Sequence, residues 1–339
     1  MGLVLVTIDC LRLDDVAHIK LPEAEAFPCV SAAPITPVAC ATIHTGLNPP
    51  RHGVRNLTGY SLRPGVATLA ELFKAAGYRT HAVVSCTPLE EHTGLQRGFD
   101  VYDSGRETGA WRRPFQDVLA RCPDLEPERQ FVWLHFFDLH PPFPTDGHSI
   151  KAVFDARHGM LGRIADEVEG LARRLPQHRF IVTGDHGQGF SKRARPTLWL
   201  GHGERLDGED LIVPLMLCRF TPCWKPWAAR HVDLLPTICR EFGLPLPAGV
   251  DGVDIAAQTE ELWAYSETYL RPVTSFPDQT SVRRGARSLV MGRNVFACRP
   301  TSRLPEMMRL LDELVGAPEE PPDAPPKETL ERLKALGYV

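Results

Sequence analysis

The sequence predicts an α/β fold, in which a mostly parallel central sheet carries helices on both faces and is followed by a small C-terminal α+β subdomain. Short runs rich in β-branched and aromatic residues alternate along the chain with amphipathic helical patterns, which is typical of a parallel sheet with covered faces. Three of the predicted strands end at an acidic residue. The 339 residues allow one large core or two modest ones. We predict a larger core domain over residues 1–255 and a subdomain with a Pro-rich tail over residues 256–339.

The predicted elements follow in chain order from apolar runs and from capping residues. An N-cap at Thr68 and a stop at Gly77 bound the first amphipathic helix, and Gly243 closes the last long helix of the core. A β-hairpin is expected around Gly292. The full order is a strand over residues 2–9, a helix over 68–80, strands over 81–85 and 130–138, a helix over 151–175, strands over 179–187 and 215–218, a helix within 231–247, a hairpin over 281–298 and an extended tail over 316–328.

Polar side chains stand at the ends of three predicted strands. Asp9 ends the first strand, Asp138 and then His140 follow another, and Asp185 and His186 follow a third. One acid after a strand is often only a turn former or a helix cap. Three such positions, two of them with a histidine, favour a site, because ligands of open α/β sheets bind beyond the carboxyl ends of the strands.

Composition narrows the class of protein. The net charge of −4 gives no reason to expect nucleic acid as a partner. The nine cysteines have no paired zinc-finger spacing and favour a reducing compartment. We find no run long enough for a membrane span and no signal-peptide pattern, so we predict a cytoplasmic protein. Oligomeric state stays open.

The Asp185-His186 pair could bind a divalent cation. An adjacent carboxylate and imidazole at a strand end can reach one ion, and Asp9 at another strand end adds a third ligand. This mixed oxygen and nitrogen set favours Zn or Mn over Mg or Ca.

Residues 33–56 (APITPVACATIHTGLNPPRHGVRN) carry a family resemblance. They resemble the nucleophile segment of the alkaline phosphatase/sulfatase superfamily, with Thr36 at the nucleophile position and Thr45-Gly46 and then a Pro-x-x-His-Gly-Val string after it. Other matches follow in the expected order and cover most of the chain: LVTIDCLRLDD, GVATLAELFKAAGYRTHAVVS, GLQRGFDVYD, FVWLHFFDLHPPF, IVTGDHGQGF, LGHGERLDGEDLIVPLML and HVDLLPTICREFGLP.

The resemblance implies a metal-dependent enzyme that acts on small anionic esters. It implies one divalent ion bound by Asp9, Asp185, His186 and the Thr36 oxygen, which is also the nucleophile. Coordination would lower the pKa of the Thr36 hydroxyl and orient it for attack. The other implied roles are an amide donor to the transition state at Asn56, substrate-facing histidines at His140 and His202, and supporting pairs at Arg12 and Arg51.

Departures from the family pattern bear on the substrate. Formylglycine sulfatases need a Cys or Ser within C/S-x-P-x-R, whereas Thr36 opens T-P-V-A-C, with Val38 and Cys40 at the Pro and Arg positions. Threonine there resembles the phosphodiesterases, nucleotide pyrophosphatases and phosphoethanolamine transferases. Cys10 stands where many sulfatases have an acidic calcium ligand, which again argues against Ca.

Two questions stay open at this stage. A second ion could use Asp138, His140 and His202, although the spacing of Asp138 and His140 favours the single-metal branch. The leading hypothesis is a hydrolase of phosphodiesters, phosphomonoesters or phosphonate monoesters that forms a phospho-Thr36 intermediate. The alternatives are a sulfatase-like hydrolase without formylglycine, a phosphoryl or phosphoethanolamine transferase, and a non-catalytic anion-binding member.

The remaining candidate residues receive structural interpretations. His44 is expected to be a hydrogen-bonded core histidine, and His135 to point away from the site or into the core. His231 and Asp233 are expected to cap the following helix, and Glu267 receives no functional role. The basic residues Lys192, Arg193 and Arg195 are either solvated or positioned to attract a substrate phosphate.

Overall fold

The computed structural model describes residues 1–105, 112–125, 129–143, 150–191, 199–270, 278–292, 295–315 and 331. The basic cluster of Lys192, Arg193 and Arg195 and the predicted tail over 316–328 lie outside the described residues.

Strands and helices alternate along the first two thirds of the chain. The strands are β1 (Leu3–Ile8), β2 (Ala24–Val30), β3 (Arg79–Val83), β4 (Val101–Asp103), β5 (Gln130–Phe136), β6 (Arg179–Gly184), β7 (Gly189–Ser191), β8 (Trp199–Gly201), β9 (Ile212–Cys218), β10 (Ala229–Arg230), β11 (Ala264–Thr268), β12 (Gln279–Arg284), β13 (Arg287–Gly292) and β14 (Val295–Arg299). The α-helices are α1 (Thr36–Thr45), α2 (Pro49–His52), α3 (Leu69–Ala75), α4 (Phe115–Ala120), α5 (Ile150–Arg174), α6 (Gly208–Leu211), α7 (Leu234–Phe242) and α8 (Leu304–Val315).

Eight strands form the central sheet in the order β10-β2-β9-β6-β1-β5-β3-β4. Strand β9 is antiparallel to both of its neighbours, and the other paired strands of this sheet are parallel. The prediction of a mostly parallel α/β sheet is therefore confirmed. The parallel trio β6-β1-β5 lies at its centre, so the carboxyl ends of these three strands meet at one edge.

Side-chain alternation divides the core between the two faces of the sheet. Odd-numbered residues of β1, β5 and β6, such as Leu5 and Trp133, pack with α1, α3 and α7 in one hydrophobic cluster. Even-numbered residues, such as Val6 and Leu134, pack with α5 in a second cluster. Helices thus cover both faces, and the odd-numbered face is the one that carries α1.

The C-terminal elements form a small α+β unit. Strands β11, β12, β13 and β14 make an antiparallel sheet in that order, and α8 packs on it through a hydrophobic cluster of its own. The sequence indicated one hairpin around Gly292, whereas the structure also has a turn at Gly285, whose φ of 54° suits glycine. The domain boundary at residue 255 stays a prediction.

Capping signals were only partly interpreted correctly. Thr68 begins α3 as predicted, because its hydroxyl accepts a hydrogen bond from Glu71 N at 3.2 Å and Glu71 Oε2 accepts one from Thr68 N at 2.8 Å. Asp233 occupies the predicted N-cap position of α7. Its carboxylate makes no cap bond to α7 and instead accepts from Arg230, from Val253 N and from Gln258 Nε2. His231 is fully buried, and neither ring nitrogen has a hydrogen-bond partner among the described residues.

Helix α5 is the longest helix of the fold, and it is amphipathic. No helix within the described ranges combines the length and the apolar character that crossing a membrane requires.

His44 lies in the core, as predicted, but it lacks the hydrogen bonds that we expected. Its ring packs against Trp133, Phe131 and Phe99, with centroid distances of 4.3, 6.2 and 6.1 Å. Within the described residues neither of its nitrogens has a hydrogen-bond partner. Burial lowers the pKa of His44 from 6.5 to about 3, since a protonated ring there would have neither water nor an anion beside it.

We expect His44 to make the fold sensitive to acid. His44 is protonated near pH 6.5 in the unfolded chain but only near pH 3 in the folded chain. Its contribution to stability is therefore fully present above pH 6.5 and is lost as the pH falls below that value. Between pH 7.5 and 5.5, wild type should lose about 1.4 kcal/mol more than His44→Leu, as measured by denaturant unfolding. His18→Leu, at an exposed histidine, is the control. Equal pH slopes for wild type and His44→Leu would contradict this origin.

Candidate active site

The ends of β1 and β6 bring two of the three predicted acidic residues, Asp9 and Asp185, together. Ile8 of β1 is in register with Phe136 of β5 and with Gly184 of β6, and the Asp9 backbone amide donates to Phe136 O at 2.8 Å. Asp9 and Asp185 therefore follow neighbouring strands at the same level, and both are fully buried.

Thr36 stands at the first position of α1, directly over this edge. Ile35 is extended (φ −140°, ψ 119°) and Pro37 occupies the first turn, where proline suits a helix start. The Thr36 hydroxyl donates to Asp9 Oδ2 at 2.9 Å, and its Oγ1 lies 3.3 Å from His186 Nε2. Residues distant in sequence thus meet at the nucleophile position that the family resemblance implies.

His186 presents one particular nitrogen to the acidic residues. Its Nδ1 lies 2.9 Å from Gly187 O and donates to it, so the neutral ring carries its lone pair on Nε2. This Nε2 lies 3.8 Å from Asp9 Oδ2 and 3.8 Å from Asp185 Oδ2. Burial lowers the pKa of His186, but the charges of Asp185 and Asp9 raise it more, and the net pKa is above the ordinary value. The same two charges would attract a metal cation.

The chemistry of these donors fits a divalent ion. Oδ1 of Asp9 and Oδ2 of Asp185 are buried without a hydrogen-bond partner among the described residues, which is costly for a carboxylate unless a cation is bound. Thr36 Oγ1, Asp9 Oδ2 and His186 Nε2 lie 2.9 to 3.8 Å from one another, and Asp185 Oδ2 lies 3.8 Å from His186 Nε2. Ligand atoms of a tetrahedral zinc ion lie about 3.4 Å apart, so the first three atoms are spaced as ligands of one ion. Among the clusters of possible metal ligands in the described residues, Asp185 groups with Cys40 and His135.

His140 and His202 lie beside this group. The His202 ring stacks on His186 with a centroid distance of 4.1 Å and meets His140 edge-on at 5.0 Å. In each ring Nδ1 donates a hydrogen bond to a backbone carbonyl. His202 donates to Pro34 O at 3.0 Å, and His140 donates to Pro141 O at 2.5 Å. Burial lowers the pKa of both rings, and neighbouring His186 lowers it further. Both rings are therefore neutral at pH 7, with the lone pair on Nε2.

Burial orders the site by depth. Asp9, Thr36, Asp185 and His186 have no exposed surface, whereas the substrate-facing candidates keep small exposed fractions: 3% for Asn56, 3% for His140 and 6% for His202. The four candidate ion ligands thus lie deepest, and the other candidates lie nearer to solvent.

The side-chain oxygen of Asn56 accepts a hydrogen bond from the protein backbone. Its Oδ1 accepts from Leu57 N at 2.7 Å, and this bond orients the side chain so that Nδ2 is the donor end.

The two arginines that the resemblance implied differ in position. Arg12 Nη1 donates to Gln188 O at 2.5 Å, so it braces the segment that follows His186. Arg51 pairs with Asp251 beside the carboxyl end of α1, and does not touch the acidic group.

Asp138 does not join the site. It lines a separate cavity of about 250 Å³ with Arg112, Phe143 and Met160 among its other walls, and burial raises its pKa to about 6. The described residues contain two clusters of possible metal ligands, and neither includes Asp138 or His140. The trio that we considered for a second ion is therefore not formed.

His135 is fully buried, as one of its two expected positions required, but it does not point away from the candidate site. Its Nε2 lies 3.7 Å from Asp185 Oδ2, and its Nδ1 lies 3.0 Å from Ser85 Oγ. It forms the second of the two clusters with Cys40 and Asp185. Burial raises the pKa of Asp185, but His186 and His135 lower it more, and the carboxylate stays ionised.

Glu267, which received no role from the sequence, anchors the C-terminal sheet next to the site. Its carboxylate accepts two hydrogen bonds from Arg55, both at 2.8 Å, and one from Tyr265 OH at 2.6 Å. Its backbone amide donates to Ala32 O at 2.9 Å. Strand β11 thereby holds the segment before Thr36 and the residue before Asn56. No local pattern marks Glu267, because its partner is distant in sequence.

The fold places the chain among structures of known enzymes. It resembles the phosphonate monoester hydrolase SpPMH from Silicibacter pomeroyi with a TM-score of 0.68 and 15% identity over 93% of this chain and 94% of that one. It resembles a 2-O GAG sulfatase with a TM-score of 0.69 and 15% identity over 92% and 91%. The periplasmic domain of EcEptC from Escherichia coli, solved with Zn, matches with a TM-score of 0.58 and 15% identity over 82% and 92%.

These neighbours define the class of fold. All three belong to the alkaline phosphatase/sulfatase superfamily, so the predicted superfamily fold is confirmed. Comparison of the sequence with protein-family models and with curated proteins finds no match.

Proposed function

We propose that this chain is a metal-dependent hydrolase of phosphorus esters that works through a covalent phospho-Thr36 intermediate. The observation that carries the proposal is the position of Thr36 Oγ1, 2.9 Å from Asp9 Oδ2 and 3.3 Å from His186 Nε2. A structural threonine at a helix start needs neither a carboxylate nor a histidine beside its hydroxyl.

One divalent ion would be held by Asp9, Asp185, His186 and the Thr36 oxygen. When bound, it would supply Lewis acidity, lowering the pKa of the hydroxyl and withdrawing charge from the ester. Asp9 also orients the nucleophile, because its hydrogen bond holds the Thr36 proton on the side of the carboxylate.

His140 and His202 are the proposed groups that transfer a proton to the leaving oxygen. Because Nδ1 of His140 and of His202 is used by a carbonyl, a proton that either ring gains must sit on Nε2. An anionic ester nearby favours that gain. As Thr36 Oγ1 attacks phosphorus, its hydroxyl proton passes to Asp9 Oδ2, which already accepts its hydrogen bond. The bond from phosphorus to the leaving oxygen breaks, and one of the protonated histidines gives that oxygen its proton from Nε2.

The second half of the reaction reverses these roles. The histidine, now neutral, takes a proton from water, and the water oxygen attacks phosphorus. The bond from phosphorus to Thr36 Oγ1 breaks, and Asp9 returns the proton to that oxygen. Nδ2 of Asn56 is the proposed donor to the developing negative charge on the phosphoryl oxygens.

A panel of nitrophenyl esters tests the proposal. The purified chain, loaded with Zn or Mn, should release nitrophenol from a phosphate monoester, a phosphodiester or a phosphonate monoester, and much less from the sulfate ester. Chelation should abolish release, and the added metal should restore it. The outcomes that contradict the proposal are preferred turnover of the sulfate ester and metal binding without turnover of any phosphorus ester. An added acceptor alcohol that captures most of the phosphoryl group would instead identify a transferase.

A further inference from the structure

Cys10 lies where the proposed ion would bind, although no role has been given to it above. It follows Asp9 directly at the end of β1 and is fully buried. Its Sγ, one carboxylate oxygen of Asp9 and one ring nitrogen each from His186 and His202 all lie within 4.8 Å of one another. Thiolate, carboxylate and imidazole are the three ligand types that zinc takes in proteins.

The backbone of Cys10 is held in an unusual conformation by a buried ion pair. Its φ of 58° is in the left-handed region, which residues other than glycine rarely adopt. Arg157 donates to Cys10 O at 3.0 Å and binds Asp15 at 2.8 and 2.5 Å. These contacts hold the backbone of Cys10 at the end of β1, and its side chain also packs in the second hydrophobic cluster.

A second observation points to a cation beside this thiol. Oδ1 of Asp9 is buried and has no hydrogen-bond partner among the described residues, while Oδ2 accepts from Thr36. Leaving a carboxylate oxygen unpaired in such a site is costly. A cation bound between Asp9 and Cys10 would remove this cost.

We propose that Cys10 binds the metal ion as a thiolate, together with Asp9 and His186, and thereby selects Zn over Mn, Mg and Ca. The inference rests on the proposed function for the presence of an ion at this site. On binding, the S–H bond gives its proton to solvent and a bond from sulfur to the metal forms, with no change of oxidation state. Soft sulfur ligands favour zinc, whereas manganese, magnesium and calcium favour oxygen.

Cys40 is the competing thiol. It belongs to the neighbouring cluster with His135 and Asp185, so an ion bound there would also have one sulfur ligand. The experiment must therefore distinguish the two cysteines by substitution.

Cobalt(II) is the probe, because a thiolate ligand gives it an intense near-ultraviolet charge-transfer band. The full chain, stripped with a chelator, is titrated with Co²⁺, and bound metal is counted by elemental analysis. Wild type, Cys40→Ser and the control Cys298→Ser should show the band at one ion per chain. Cys10→Ser should bind cobalt without the band and should bind Zn roughly 100-fold more weakly. Cys10→Asp should shift the Zn/Mn affinity ratio toward Mn.

The outcomes separate this inference from the proposed function. One cobalt ion bound to wild type without the band overturns the role of Cys10 and leaves the phosphoryl-transfer proposal standing. A band that disappears in Cys40→Ser and persists in Cys10→Ser assigns the ion to the other cluster and also overturns it. If wild type binds no metal, both proposals fail together. The first outcome depends only on the charge-transfer band of the wild-type protein, so it can be read even if a variant misfolds.

Discussion

Replacing Thr36 with alanine is expected to lower kcat for a phosphorus ester by roughly 10⁴-fold or more, since removal of a covalent nucleophile leaves only binding and electrostatic stabilisation. Metal affinity should fall only modestly, by about tenfold, because Asp9, Asp185 and His186 remain. The two measurements are steady-state turnover of the best nitrophenyl ester and metal content after dialysis.

Thr36→Ser is the matched control for this substitution. It keeps the hydroxyl next to Asp9 Oδ2 and removes only a methyl group, so turnover should stay within about tenfold of wild type. Rapid acid quench during turnover should leave one phosphoryl group on the peptide that contains residue 36, and no such adduct on Thr36→Ala. An alanine variant with wild-type turnover and intact metal would disprove the covalent mechanism.

The ends of the strands show how much of the candidate site could be predicted from the sequence. Each apolar run ended at an acidic residue, and parallel pairing of β6, β1 and β5 then brought Asp9 and Asp185 to one edge. Local sequence carries that information because strand length and chain direction decide where a terminal side chain lies. The position of Thr36 came from the family resemblance, since nothing in its local pattern marks it as a nucleophile.

Side-chain alternation was used correctly for β5, but the wrong face was chosen. His135 and Asp138 do occupy opposite sides, as their spacing indicated. The odd-numbered face carries α1, and with it Asp9, Asp185 and His135. Which face α1 covers is a tertiary property. The sequence of β5 alone could not reveal it, so Asp138 was favoured over His135.

Long-range polar pairs were beyond prediction for a similar reason. Arg55 and Glu267 are separated by 212 positions, and neither is flanked by a motif. Their pairing depends on how the C-terminal sheet docks, and no periodicity encodes that docking. The Asp233 carboxylate also binds groups that are distant in sequence, Val253 N and Gln258 Nε2.

Glu267→Gln is expected to lower the free energy of unfolding by about 3 to 5 kcal/mol. The side chains of Arg55 and Glu267 are only 5% and 1% exposed, so the substitution leaves a buried guanidinium without its counter-charge. Although burial lowers the pKa of Arg55, the hydrogen bonds and charge of Glu267 raise it more, so Arg55 stays charged in the folded wild type. Equilibrium unfolding in denaturant measures the change.

A pair on the same sheet gives the control. Arg284 and Glu260 approach to 2.6 Å, but Glu260 is 65% exposed, so Glu260→Gln should cost less than about 1 kcal/mol. The double variant Arg55→Met with Glu267→Leu should recover most of the lost stability, because replacing a whole buried pair by apolar groups is often nearly neutral. If Glu267→Gln costs no more than Glu260→Gln, then Arg55 reaches solvent and the pair does not anchor β11. If the double variant is as unstable as the single one, the loss comes from packing around Tyr265 and not from an uncompensated charge.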